Sequence, residues 1–254
     1  MKESALFEIF SGASKPSPAN ASLVFILTLD NEIKRHAEDD EFETFWSVSE
    51  QRAKEFVDSV AVVKNAFTKA GAPVSESAGL ELYKKSGATL KDHTVFASIL
   101  TISKEIGKNV FGDVGLTEWA EIRPRGVRDK SYLVLKREGK PKHFREITQL
   151  INMSAFSSRK ANVQTVHNEL IKDSRFVLVG RGLYGLSEWG YKAGTVKDVL
   201  VDVMRSSSKP MTKEDIVAQV MSHRMVKKNT ILLNLQDNKI FTKKEDGRYA
   251  LHEA

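Results

Sequence analysis

Four polar side chains, Gln164, Thr165, Asn168 and Lys172, fall on one side of a stretch whose opposite side is Val163, Val166 and Leu170 when it is wound at 100° per residue. Asparagine and glutamine amides can pair bidentately with an adenine edge, a good pair discriminating by about 1–3 kcal/mol, and a lysine suits phosphate. The chemistry these types offer is recognition of double-stranded DNA. Arg181, inside Gly180-Arg181-Gly182, sits where a tight turn could carry a cation to a phosphate or into a minor groove. Arg128 and Lys130 close the basic run 123–130 and are placed to touch backbone from the start of a helix. For each residue the plain alternative is a solvated surface, and for the run it is a linker.

Bond-making chemistry finds little to work with. The six histidines, at 36, 93, 143, 167, 223 and 252, have no metal-ligand spacing, and no cysteine completes a zinc site. There is no HExxH, no GxxxxGK[ST] phosphate loop and no GxSxG elbow. The expectation is a protein that is not an enzyme and has no cofactor, metal or small-molecule substrate. His143 is expected to bond backbone at a helix start, and His167 to border a core.

The elements that must position the polar face are repeated along the chain. Tyr184, Leu186 and Glu188 recur 65 residues later as Tyr249, Leu251 and Glu253; stepping back by 70, Trp189, Leu186 and Leu170 fall on Trp119, Leu116 and Leu100. A further step of 73 reaches Trp46 and Leu27, so a fainter copy stands at the start. Pro73, Pro141 and Pro210 each open a fresh helix. Four copies follow: a partial one over 1–48, then 49–122, 123–192 and 193–254. Units of about 65 residues bury only about 60% of their unfolded surface, which favours neighbours packing together.

In the third copy, Tyr132 to Glu138 reads as a helix stopped by Gly139, and Phe144, Ile147, Leu150 and Ile151 form a second apolar stripe. Asn162 can cap a third helix, and strands 176–179 and 183–187 make a hairpin whose glycines permit positive φ. In the fourth, Val199, Leu200, Val203 and Met204 line the first helix, Thr212 and Asp215 open the second, and Ile231 and Leu235 hold the third, with the turn at 244–247. The fold class is mainly α with small β hairpins (α+β), a tandem array of winged helix-turn-helix domains. Trp46, Trp119 and Trp189 end successive wings and are expected to share one packing task. Residues 190–194 read as a soft joint.

Charge separates the copies. Residues 1–122 hold 13 basic and 19 acidic side chains, residues 123–192 hold 15 and 6, and residues 193–254 hold 11 and 8, giving −6, +9 and +3. DNA affinity rests on neutralising phosphates, so the third copy is the electrostatic candidate and the first half should avoid DNA. The third helices of the earlier copies show Thr94, Val95, Ser98 and Ile102, or Phe25 and Leu29, on the corresponding face, which reads as packing between copies. Glu38 to Glu41 reads as a solvated acidic loop. The fourth copy's corresponding face is mixed, with Thr230, Leu233 and Asp237 beside Lys227 and Lys228. No apolar run approaches 18 residues and no signal peptide is seen, so the expectation is a soluble, reduced, cytoplasmic protein with no membrane partner.

The run His143-Phe144-Arg145-Glu146-Ile147, with Thr165-Val166-His167-Asn168-Glu169-Leu170, Arg175-Phe176 and Gly180 to Leu186, resembles the HARE-type helix-turn-helix domain over roughly 125–191. That family is similar to the folded part of the bacterial RNA polymerase delta subunit. The resemblance implies a DNA-binding or transcription-associated module. The whole chain is similar to longer bacterial sigma-like transcription proteins in which a sigma region 4-like segment precedes such an array. No such segment occurs here, so the chain reads as a shortened member, or as one beginning downstream of the original start. Two functions remain open: a double-stranded DNA-binding regulator using the central domain, or an RNA polymerase-associated accessory acting by protein contacts.

Overall fold

Capping residues and left-handed glycines set the helix limits in the computed structural model, which describes residues 1–156, 159–207 and 209–252. Glu253, invoked in the repeat register, lies outside them. The chain divides into two bodies, 1–124 and 125–254. It is an α+β protein, about half helical, with small antiparallel sheets. No helix among the described residues is long and apolar enough to cross a membrane.

The N-terminal body begins with α1 (Glu3–Ser11), α2 (Pro18–Thr28) and a hairpin of β1 (Lys34–His36) and β2 (Phe45–Ser47). There follow α3 (Glu50–Ala70), β3 (Val74–Ser75), α4 (Glu76–Lys85), α5 (His93–Ile102), β4 (Ile106–Lys108) and β5 (Asp113–Leu116). Ser49 and Asp92 cap α3 and α5, and Gly71 at φ +69° closes α3. One core joins Phe42 and Phe45 of the opening segment to Phe56, Phe67, Phe96, Ile99 and Ile106.

The C-terminal body repeats the order: α6 (Val127–Glu138), β6 (Lys142–His143), α7 (Phe144–Met153), α8 (Val163–Lys172), β7 (Phe176–Gly180) and β8 (Leu183–Leu186). Then come α9 (Val196–Ser206), α10 (Lys213–His223), α11 (Lys228–Asn234), β9 (Phe241–Lys243) and β10 (Tyr249–Leu251). Thr195 and Thr212 cap α9 and α10, and Val199, Leu200, Val203, Met204, Ile231 and Leu235 are buried as expected.

A single pairing recurs in all four stretches. A residue one or two places before a helix pairs with the second strand of the hairpin that follows: Lys2 with Phe45, Val74 with Val114, Lys142 with Tyr184 and Met211 with Tyr249. The opening stretch therefore has the same order as the others from that pairing onward.

Several expectations are corrected. The run 38–41 is an exposed loop, as expected, but not a detached one: Lys104 Nζ donates to Glu38 Oε1 and to the Asp39 carbonyl, both at 2.6 Å, and Lys104 N–H donates to the Glu41 carbonyl at 2.8 Å. The loop thereby fastens the opening stretch onto the α5–β4 turn. Ile102, expected to pack between copies, is buried in the core that also holds Phe42 and Phe45 of the opening stretch, whereas Phe25 and Leu29, given the same expectation, are 65% and 66% exposed. Residues 190–194 are no soft joint, because Lys192 N–H bonds the His223 carbonyl, the His223 ring bonds the Gly190 carbonyl, and buried Arg224 donates to the Gly194 carbonyl.

The tryptophans do not share a task either. Trp46 is buried and donates to Glu3 at 3.0 Å, and Trp119 lies against Gly115. At the matching Gly185 the covering ring is Tyr191, not Trp189, whose indole meets Tyr191 edge-on at 6.4 Å. Only a glycine permits either ring to lie so close to its strand.

Candidate nucleic-acid interface

Helix α8 owes its orientation to its ends and its apolar face. Asn162 Oδ1 accepts from the amides of Gln164 and Thr165 at 2.8 and 3.4 Å, fixing the first turn. Val166 and Leu170 are wholly inside, whereas Val163, expected on the same side, is 40% exposed because the first turn projects past the core. His167 covers the flank, stacked on Phe144 at 4.3 Å and edge-on to Tyr184 at 5.9 Å.

The face opposite this packing carries Gln164, Thr165, Asn168 and Lys172, all exposed. Gln164 Nε2 donates to Asn168 Oδ1 at 3.0 Å, so the two amides present a joined donor and acceptor edge one turn long. Lys172 stands in the last turn.

Arg181 is exposed at the tip of the β7–β8 hairpin. The turn is tighter than its two glycines suggest. Only Gly182 takes a positive φ, +68°, and Gly180 lies in a bulge of β7. The far side of β7 is occupied: Met225 N–H donates to the Val179 carbonyl at 3.1 Å. Packing of the following segment thus backs the hairpin and leaves its tip free.

Arg128 is exposed on the first turn of α6, and Lys130 is half-buried with Nζ 5.7 Å from the centre of the Phe156 ring. A cleft of about 310 Å³ is lined by Arg125, Lys130, Phe156, Arg159, Lys160 and Thr165 among others. The structure therefore brings Lys130 and Thr165 together and places Arg128 outside that cleft. Arg159 and Lys160 were missed by sequence reasoning; their signal was a basic pair three and two residues before the cap Asn162. Lys160 Nζ also donates to the Asn152 carbonyl at 2.8 Å, which holds the loop against α7.

Arg175 is structural. Its guanidinium bonds Asp173 at 2.7 Å and Asp129 at 2.9 Å and lies 5.0 Å over the Tyr132 ring. Its hydrogen bond to Asp173, with a smaller contribution from the one to Asp129, raises its affinity for the proton further, and Asp173 is held below the usual carboxylate range. His143 caps α7 as expected: Nδ1 accepts from Arg145 N–H while Glu146 accepts from the His143 amide. In the fourth stretch, Asp237 is tied to Lys197 at 2.5 Å, leaving exposed Leu233, Lys227 and Lys228 near the matching face. Among the described residues no group of three or more histidine, aspartate or glutamate side chains could hold a metal ion.

No protein-family model matches the chain, and no curated protein matches it in sequence.

Proposed function

We propose that the chain is a double-stranded DNA-binding transcription regulator of the reducing cytoplasm, built as a tandem array of winged helix-turn-helix domains, with 123–192 as its HARE-type DNA-reading domain. The observation that carries this reading is the joined Gln164–Asn168 amide edge, exposed on a capped helix within the segment of highest positive charge. In this arrangement α8 enters the major groove and the amides contact base edges. Lys172, Arg181, Arg128 and Lys130 neutralise phosphates, and Thr165 joins the base-facing edge to the cation-lined cleft. The acidic N-terminal body stays off the duplex.

Binding of the purified chain to a random duplex pool across a salt series, beside a Lys172→Glu, Arg181→Glu double variant, tests this. Each phosphate contact contributes about −0.9 to the slope of log affinity against log salt, so the variant should lose roughly two such contributions. Enrichment of one sequence by the wild-type chain completes the expected result. Failure to bind, or binding indifferent to the two substitutions, overturns the assignment and favours the RNA polymerase-associated reading, which polymerase pull-down then tests.

A further inference from the structure

Helix α2 carries no charge on any side, and its only polar side chains are Asn20, Ser22 and Thr28. From Pro16 to Leu29 there is no charged side chain. Leu23, Val24 and Leu27 are half-buried, while Phe25, Ile26 and Leu29 are 65%, 59% and 66% exposed. A mainly apolar helix without a charged face is ordinarily covered. On α1, its neighbour in the hairpin, Ile9 and Phe10 are 74% and 54% exposed.

This pair is not a frayed end. Asn20 is completely buried in the turn: its Nδ2 donates to the carbonyls of Ala13 and Lys15 at 3.2 and 2.7 Å, and its Oδ1 accepts from Ser11 Oγ at 2.8 Å. Ser17 caps α2, Gly12 closes α1 at φ +70°, and α1 is anchored by buried Phe7 and the Glu3–Arg35 ion pair at 2.6 Å. The apolar face is thus held in a fixed shape, which lowers the ordering cost of covering it.

We propose that the α1–α2 hairpin is a self-association surface, covered in solution by the same surface of a second copy of the chain. The absence of charge on α2 suits this occupant. A twofold pairing opposes identical faces, and with no charge on α2 it meets no like-charge repulsion there, as charge-depleted interface cores require. A strongly basic or acidic partner would find no ion pair on that face. The five side chains expose on the order of 600 Å² per chain, so pairing that covers all five would remove on the order of 1,200 Å², the lower edge of the specific-interface class. The inference stands apart from DNA binding.

Sedimentation equilibrium of the full chain over a concentration series, beside a Phe25→Glu, Leu29→Glu variant, decides it. The wild-type chain should form a dimer, and the variant's dissociation constant should rise by about 100-fold or more. Because both side chains are exposed, the thermal transition should stay in place. If that variant unfolds, Ile9→Lys repeats the test on the other helix. Phe25→Cys in this cysteine-free chain should in addition form a disulfide-linked dimer under mild oxidation. A chain monomeric throughout, or a dimer indifferent to these substitutions, overturns the proposal. The Lys172→Glu, Arg181→Glu variant should keep the dimer while losing DNA, so the two readings fail separately.

Discussion

Gly182 lies so close to His143 that a methyl group on its α-carbon would come within 2.5 Å of the imidazole Nε2. The contact ties the tip of the β7–β8 hairpin to the cap of α7, with Phe144 N–H also donating to the Gly182 carbonyl at 2.9 Å. Gly182→Ala therefore meets both a positive φ and a filled space. Gly247, at the tip of the β9–β10 hairpin, has φ +84° but open space around it. Denaturant unfolding should show Gly182→Ala costing about 1–3 kcal/mol, clearly more than Gly247→Ala. Equal costs would mean that the His143 ring moves aside freely.

Asp173 gives the C-terminal body an acid-sensitive contact. Its carboxyl is held below the usual range chiefly by the hydrogen bond from Arg175. The unfolded chain, with a pKa of about 3.9, then binds the proton more readily than the folded one. The resulting stabilisation is complete above that pH and is lost as pH falls through the lower folded value. Asp173→Asn should cost about 1 kcal/mol at neutral pH, after allowance for the partly exposed guanidinium. Its stability should also fall less steeply than wild type on acidification below about pH 4. Parallel unfolding curves for the two proteins would refute the assignment.

How much of this was legible in the sequence depends on whether a feature is local. Asn162, Thr212 and Gly139 act within one helix turn, and each stands where the sequence reading put it. The exposed polar face of α8 followed from periodicity for the same reason. Lys104 on Glu38 joins residues 66 apart, and Arg224 on Gly194 joins residues 30 apart; no periodicity reports such pairings. Repeat register also misled where the copies diverged. A fixed offset matched Trp189 to Trp119, but the ring over the matching glycine comes from Tyr191, two residues later. Val163 failed differently: helical angle alone put it beside Val166, while the core ends before the first turn does.

Arg224 is buried, and burial pulls its proton affinity below that of an ordinary arginine. It holds the Gly194 carbonyl, and its neighbour His223 holds the strand of chain at 190–192. Arg224→Ala leaves that carbonyl without its donor and should cost about 1–3 kcal/mol. Hydrogen exchange at the Lys192 amide, which bonds His223, should accelerate more than exchange in the α9–α10 core. Unchanged protection at Lys192 would mean that the clamp contributes nothing to the order of 190–194.

Within the proposed DNA reading, the α8 side chains divide into two classes that titrations can separate. Asn168 and Gln164, joined at 3.0 Å, are assigned to base edges, and Lys172 to phosphate. Asn168→Ala should therefore lose about 1–3 kcal/mol of discrimination at one base pair while leaving the salt slope nearly unchanged. Lys172→Ala should weaken binding to all sequences alike and reduce the slope by about 1. Arg175→Lys is the control for charge without contact: it keeps the cation but loses the paired geometry on Asp173 and Asp129, so it should lower stability and leave the salt slope in place. If Asn168→Ala and Lys172→Ala instead behave alike, losing affinity uniformly with equal slopes, α8 touches only the backbone and base reading must lie elsewhere in the chain.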